Sequence, residues 1–176
     1  HNELRAFHDE MERGLNEKDI DAIVGALDEN VIFTPMNGTI VRGPDEVRAY
    51  YERMLVGPDA FLADIRTTFE PDDLSILHGG SEGQRSAIAF GQSDGHYELS
   101  DGTVFDVKAV WVTTLLRNDD GSWRIGSFSY SSSMFDNPIL DMQRQYFMIG
   151  GGIALFVVFL LAFFVGRMRG RKSAKG

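Results

Sequence analysis

"TVFDVKAVWVTTLLRNDDGSWRIGSFSYS", residues 103–131, decides the fold. Phe105, Val107, Ala109, Trp111 and Leu115 fall at odd positions, the spacing that lines one face of a strand. "NDDG" (118–121) is tight-turn chemistry, and residues 122–131 resume a strand pattern, so the two segments are expected to pair antiparallel. The even positions of residues 103–117 change character along the way. Asp106 and Lys108 are polar, whereas Val110, Val112 and Leu116 are apolar. A sheet with one wet face alternates throughout. The far half of this strand is therefore expected to be covered on both faces, by helices on one and by something else on the other. Val110, Val112 and Leu116 become candidate partner-interface residues.

Upstream, residues 85–99 make a further strand of the same meander, entered through the turn "SDG" (100–102), and "FLADIRTTFEP" (61–71) another. "HGGSEG" (78–83) reads as a flexible loop between them. Before residue 61 the period is that of a helix. Leu4, Phe7, Met11 and Leu15 share one helical face, and "NEKD" interrupts it. Asp19 is placed to N-cap a second helix carrying Ile20, Ile23, Val24 and Leu27. "VIFTP" is a short strand, "MNGT" a turn and "TIVRG" the returning strand. Gly43-Pro44-Asp45-Glu46 opens a third helix, with proline in the first turn and acids at the positive end of the dipole. Val47, Tyr50, Tyr51, Met54 and Leu55 form its apolar face. Helices first and sheet second is the α+β pattern.

Downstream, "FMIGGGIALFVVFLLAFFVG" (147–166) contains no charge and is long enough, at roughly 1.5 Å per residue, to cross a bilayer core of about 30 Å. The expected organisation is a domain over 1–133, a linker over 134–146, a transmembrane helix over 147–166 and a basic tail over 167–176. Gly150, Ala154, Val158, Ala162 and Gly166 recur every fourth residue, a narrow small-residue stripe suited to packing against another helix. All 26 acids precede residue 147, while Arg167, Arg169, Arg171, Lys172 and Lys175 stand unopposed after it. So acidic a domain repels phosphate backbones, and no nucleic acid partner is expected. There is no cysteine, hence no disulfide, thiolate metal site or thiol nucleophile.

"GLNEKDIDAIVGALDENVIFTP", "GTIVRGPDEVRAYYERM" and "LLRNDDGSWRIGSFSYS" together resemble the nuclear transport factor 2-like superfamily, in particular its SnoaL-like members and the ketosteroid isomerases. The likeness spans about residues 3–133. It implies a cone: a strongly curved antiparallel sheet wrapped around three N-terminal helices, enclosing a pocket, with an open sheet face that commonly makes a dimer. It also implies where isomerase chemistry would stand. Thr34 falls at the place of the carboxylate base, Met11 at that of the tyrosine, and Val112 or Thr113 at that of the protonated acid. None can fill its role, so no isomerase activity is expected. Dehydratase-like elimination would need paired histidines with an acid, and His1, His8, His78 and His96 show no such clustering in sequence. His8 reads as a surface or pocket-rim residue. His96, Tyr97 and Glu98 can converge with Asp106 and Lys108 across one hairpin. Thr34, Tyr50, His96 and Tyr97 are the ligand-pocket candidates.

No catalytic residue, metal site or cofactor is expected. There is no H-E-x-x-H spacing, and "GGSEG" lacks the Lys-Ser/Thr of a phosphate-binding loop. The expected function is that of a non-enzymatic, single-pass accessory subunit docking on a larger integral membrane complex of a respiratory, photosynthetic or transport kind. The alternatives are a membrane-tethered enzyme or binding protein for a small apolar molecule, and a homodimer paired through its sheets. The five tail charges place the tail in the cytoplasm and the domain outside it, periplasmic in a Gram-negative cell. A first residue other than methionine, His1, is what removal of a signal peptide would leave. A tail-anchored protein with its domain in the cytosol is the competing arrangement.

Overall fold

The computed structural model describes residues 1–80 and 83–133. The expected transmembrane segment 147–166, its small-residue stripe, the linker and the basic tail lie outside the described residues. Among the described residues no helix is long and apolar enough to cross a membrane.

The chain runs α1 (Asn2–Asn16), α2 (Ile20–Gly25), β1 (Leu27–Thr34), β2 (Val41–Arg42), α3 (Gly43–Leu55), β3 (Leu62–Pro71), β4 (Ile76–Gly80), β5 (Gly83–Leu99), β6 (Val104–Arg117) and β7 (Trp123–Ser132). α1 ends where Lys18 takes a left-handed φ of 58°. Asp19 then caps α2, its carboxylate accepting the Ala22 N–H at 3.0 Å. α2 stops at Gly25, so Leu27 belongs to β1 and not, as its spacing suggests, to the second helix. Pro44 sits in the first turn of α3 beside Asp45 and Glu46.

One sheet holds all seven strands, in the order β2-β1-β7-β6-β5-β3, with β4 also on β5. The meander β5-β6-β7 is antiparallel as expected, but β1 runs parallel to β7, which makes the sheet mixed. Each strand carries its own alternation, but which distant strand lies beside β7 leaves no local trace. The second correction concerns 78–83. The segment expected to be a loop supplies the ends of β4 and β5, which pair from Ile76↔Ile88 to Gly80↔Gly83. Glycines there offer no side-chain alternation, yet backbone pairing does not need any.

β5 is 17 residues long and serves two neighbours on one edge: β4 along its first part, β3 along its second. Its inward positions in the middle are Ala87, Ala89, Gly91, Ser93 and Gly95, all small. At Gly91 the backbone of Glu70 and Pro71 presses so close that no Cβ fits, and over Gly95 lies the Tyr97 ring. These positions let the sheet curl over the helices.

Inside the curl, Val31 and Ala87 are wholly buried and Val47, Leu115 and Leu4 nearly so. A second cluster, Leu55, Leu62, Ile65, Tyr97 and Val107, fills the other end. On the outer face Val110 is 54% and Val112 48% exposed, and Leu116 is half-buried against Gly126. The expected second cover on β6 is thus not supplied by any described part of this chain.

Candidate functional site

Between the helices and the inner sheet face lies a cavity of about 410 Å³, within the usual range for small-molecule sites. Phe7 and Met11 of α1, Val31 and Phe33 of β1, Trp111 of β6 and Phe128 of β7 form much of its wall. Trp111 and Phe128 stack with centroids 6.4 Å apart, and Phe69 meets each edge-on at 6.1 Å. Such offset and edge contacts fix the rings in place. Exposed His1, Arg5, Asp9, Asp73 and Leu74 mark where the cavity opens.

Several polar side chains on the wall are engaged with main-chain groups. β3 lies at the edge of the sheet, and α1 runs beside it. Asn16 accepts the Thr67 N–H at 2.7 Å and donates to the Thr67 carbonyl at 2.8 Å. Glu12 accepts the Phe69 N–H at 2.7 Å, and His8 Nε2 meets the Phe69 carbonyl at 2.8 Å. The geometry explains the pattern. Four residues of helix rise about 6.0 Å, close to the roughly 6.6 Å that two strand residues span. Residues at 8, 12 and 16 can therefore follow the outward-facing amides of Thr67 and Phe69 as a strand would. Lys18 continues the line to the Ala63 carbonyl at 2.7 Å. Deeper in the sheet, Trp111 Nε1 donates to the Gln92 carbonyl and Thr113 to that of Ser127, both at 2.8 Å.

Beside the cavity a hydroxyl cluster crosses the inner face of β5. Ser93 bonds Tyr130 at 2.7 Å, and the Tyr130 and Tyr97 hydroxyls lie 3.3 Å apart. Thr67, opposite Gly95 in register, is 2% exposed and its hydroxyl has no partner. Burial, reinforced by Tyr97, pushes the Tyr130 phenol far up. Burial does the same to Tyr51 and, less strongly, to Tyr50.

The four pocket candidates do not converge. Thr34 is on the wrong face: Val31 and Phe33 point into the cone, while Thr34 pairs with Ser129, itself opposite exposed Val112. The alternation of β1 forbids it the base's place. His96, expected at the pocket, is also outside, its Nδ1 2.7 Å from exposed Asp106 across the hairpin. Lys108 stands 3.8 Å from Asp94. Tyr97, the next residue along, faces inward and is 7% exposed, packed on Phe105. Strand period 2 separates the two. Tyr50 packs edge-on against Phe33 and Tyr51 with Arg53 over its ring, in the core and off the cavity wall. Of the isomerase positions, Met11 and Thr113 do line the cavity. His8 borders it as a rim residue, with His1 also on the wall.

Sequence reasoning passed over Tyr51, Glu12 and Asn16. The four-residue spacing of His8, Glu12 and Asn16 was the available signal, but it has meaning only once β3 is known to lie alongside. Among the described residues no group of three or more His, Asp or Glu stands close enough together to hold a metal ion.

Solved structures share this architecture. A ketosteroid isomerase-like protein from Erwinia carotovora atroseptica is 14% identical, with a TM-score of 0.60 over 73% of this chain and 92% of its own. A hexachlorocyclohexane dehydrochlorinase is 11% identical, with a TM-score of 0.60 over 74% of this chain and 82% of its own. A nuclear transport factor 2-like superfamily protein from Salmonella enterica is 14% identical, with a TM-score of 0.61 over 74% and 89%. At such identities the likeness shows the fold alone. No curated protein matches the chain. The SnoaL-like domain family matches residues 5–124, from the start of α1 to the start of β7, and the chain belongs to that family.

Proposed function

We propose that this protein is a non-enzymatic binding domain, tethered to a membrane by residues 147–166, that holds a small apolar molecule in its cone. The observation that carries this reading is the cavity: about 410 Å³, aromatic and aliphatic on its walls, with His8, Glu12, Trp111 and Thr113 all bound to main-chain groups. Side chains so engaged brace the wall and are not poised to move protons. Naphthalene tests it. The full chain in mild detergent is expected to gain thermal stability with naphthalene, and Ala89→Trp, which fills the cavity from β5, is expected to abolish the gain. An equal gain in both proteins would refute it.

A second reading is an accessory subunit docked on a larger integral membrane complex, and it rests on the outer sheet face. Val110 and Val112 are about half exposed there, two residues apart on one face of β6. Co-purification from native membranes, lost on Val112→Asp, supports docking; a dimer lost on the same change supports pairing of two sheets. For sidedness, the tail charges favour an extracytoplasmic domain. Protease added to intact spheroplasts should then digest it, and protection until lysis would overturn that placement.

A further inference from the structure

Among the hydrogen-bonding side chains of the wall, two hydroxyls make no hydrogen bond to a described residue: Ser75, beside exposed Asp73 and Leu74 at the opening, and Tyr51 further in. Tyr51 lines the cavity, stacked on Phe33 at 5.7 Å and edge-on to Tyr50 at 5.5 Å, so its ring is held firmly. Its hydroxyl makes no hydrogen bond to any described residue, and it is not a fully sealed atom as the unpartnered Thr67 hydroxyl is. Tyr51 keeps some accessible area, yet burial dominates the upward shift of its phenol. The two agree if the area it keeps faces the cavity and not bulk solvent. A neutral phenol in such a place lacks a partner that water or a ligand must supply.

We propose that the Tyr51 hydroxyl is the polar anchor of the cavity, and that its ligand is a flat, neutral, mostly apolar molecule bearing one carbonyl or hydroxyl oxygen. This rests on the reading of the cone as a binding site. A flat, aromatic ligand suits a wall to which Phe33, Trp111 and Phe128 all contribute rings. Neutrality follows from the charges. Arg5, Asp9 and Asp73 stand at the exposed opening, and the groups that act on the Tyr51 phenol are Tyr50 and Tyr97, with no carboxylate or basic group among them, so a charge at the depth of Tyr51 would have no counter-ion. One oxygen away from the opening matches the Tyr51 hydroxyl, since the other unpartnered hydroxyl of the wall, that of Ser75, stands beside exposed Asp73 and Leu74.

The test compares 2-acetylnaphthalene with naphthalene, against the full chain and its Tyr51→Phe variant in the same detergent. Partition into micelles is common to both proteins and cancels. The change removes one oxygen from a packed ring, and the melting temperature without probe verifies that the fold is kept. Losing one hydrogen bond should weaken binding of the ketone roughly three- to tenfold and leave naphthalene unchanged. A red-shifted emission of a bound naphthyl ketone dye, 6-propionyl-2-dimethylaminonaphthalene, should move to the blue in the variant as its carbonyl loses its donor. Equal affinities for the ketone in both proteins, or equal losses for both probes, would overturn the anchor while leaving the cavity a binding site. Failure of both probes to bind the unaltered protein would overturn the binding-site reading and the anchor with it.

Discussion

Asn16→Ala probes the way α1 substitutes for a missing strand. The side chain satisfies both main-chain groups of Thr67, at 2.7 and 2.8 Å, in a partly buried setting. A net hydrogen bond contributes about 0.5–1.5 kcal/mol, and a buried group left unpaired costs about 1–3 kcal/mol. Two bonds lost at a half-wet edge, where water can partly replace them, should cost about 2–3 kcal/mol. Alanine's better helix propensity returns at most about 0.6 kcal/mol, and less in a last turn. The expected net loss is about 1.5–2.5 kcal/mol, or roughly 5–10 °C in Tm for a domain of this size. Thermal unfolding of the full chain in mild detergent, followed by circular dichroism, reads it. Glu12→Gln supplies the contrast. Its amide oxygen can still accept the Phe69 N–H, so its loss should stay within about 1 kcal/mol. If Asn16→Ala melts within 2 °C of the unaltered protein, the helix is not closing the edge of β3 and the reasoning is wrong.

Gly91→Ala should be worse tolerated than Gly95→Ala, because its Cβ would meet the Glu70 main chain whereas at Gly95 it meets the Tyr97 side chain, which can turn aside; equal Tm values would contradict this. Val112→Asp should weaken association by roughly ten- to a hundredfold, the equivalent of about 1.5–3 kcal/mol of lost burial, with Tm unchanged, as sedimentation of the mutant would reveal. Purified protein should not turn over a 5-ene-3-ketosteroid; turnover abolished by Thr34→Ala would refute both the sequence reading and the outward placement of that residue. Asp101 is held below the ordinary carboxyl value chiefly by the Thr103 N–H, and Asp120 chiefly by the Ser122 hydroxyl. A depressed carboxyl stabilises above its unfolded value of about 4 and loses that contribution as pH falls through the folded value. The double change Asp101→Asn, Asp120→Asn should therefore flatten the fall in Tm below about pH 4, and an unaltered pH profile would count against it.

How far the sequence reached follows from what each feature depends on. Periodicity and turn chemistry located α1, α3, β3, β6 and β7 within a residue or two, because each is written in its own neighbours. The Asp19 cap and the turns at Gly102 and Gly121, with φ of 84° and 86°, are equally local. The parallel β1–β7 pair is not local, and β4 hides among glycines. The site was less legible than the fold. Thr34 lies one residue from inward-facing Phe33, and on a strand one residue reverses every side chain. Of the neighbouring candidates Tyr97 and His96, the first faces inward without lining the cavity and the second faces out, for the same reason. Tyr51 differs from Tyr50 only in which helix face looks into the cavity, a distinction of about 100° that composition does not carry.

The central claim is that the cone holds a small, mostly apolar molecule. Native mass spectrometry of the full chain, purified from its native source in mild detergent, tests this. One small-molecule adduct per chain is expected, extractable into organic solvent and absent from Ala89→Trp. An unaltered protein that carries no adduct and takes up no added naphthalene, or an adduct that survives in Ala89→Trp, would contradict it.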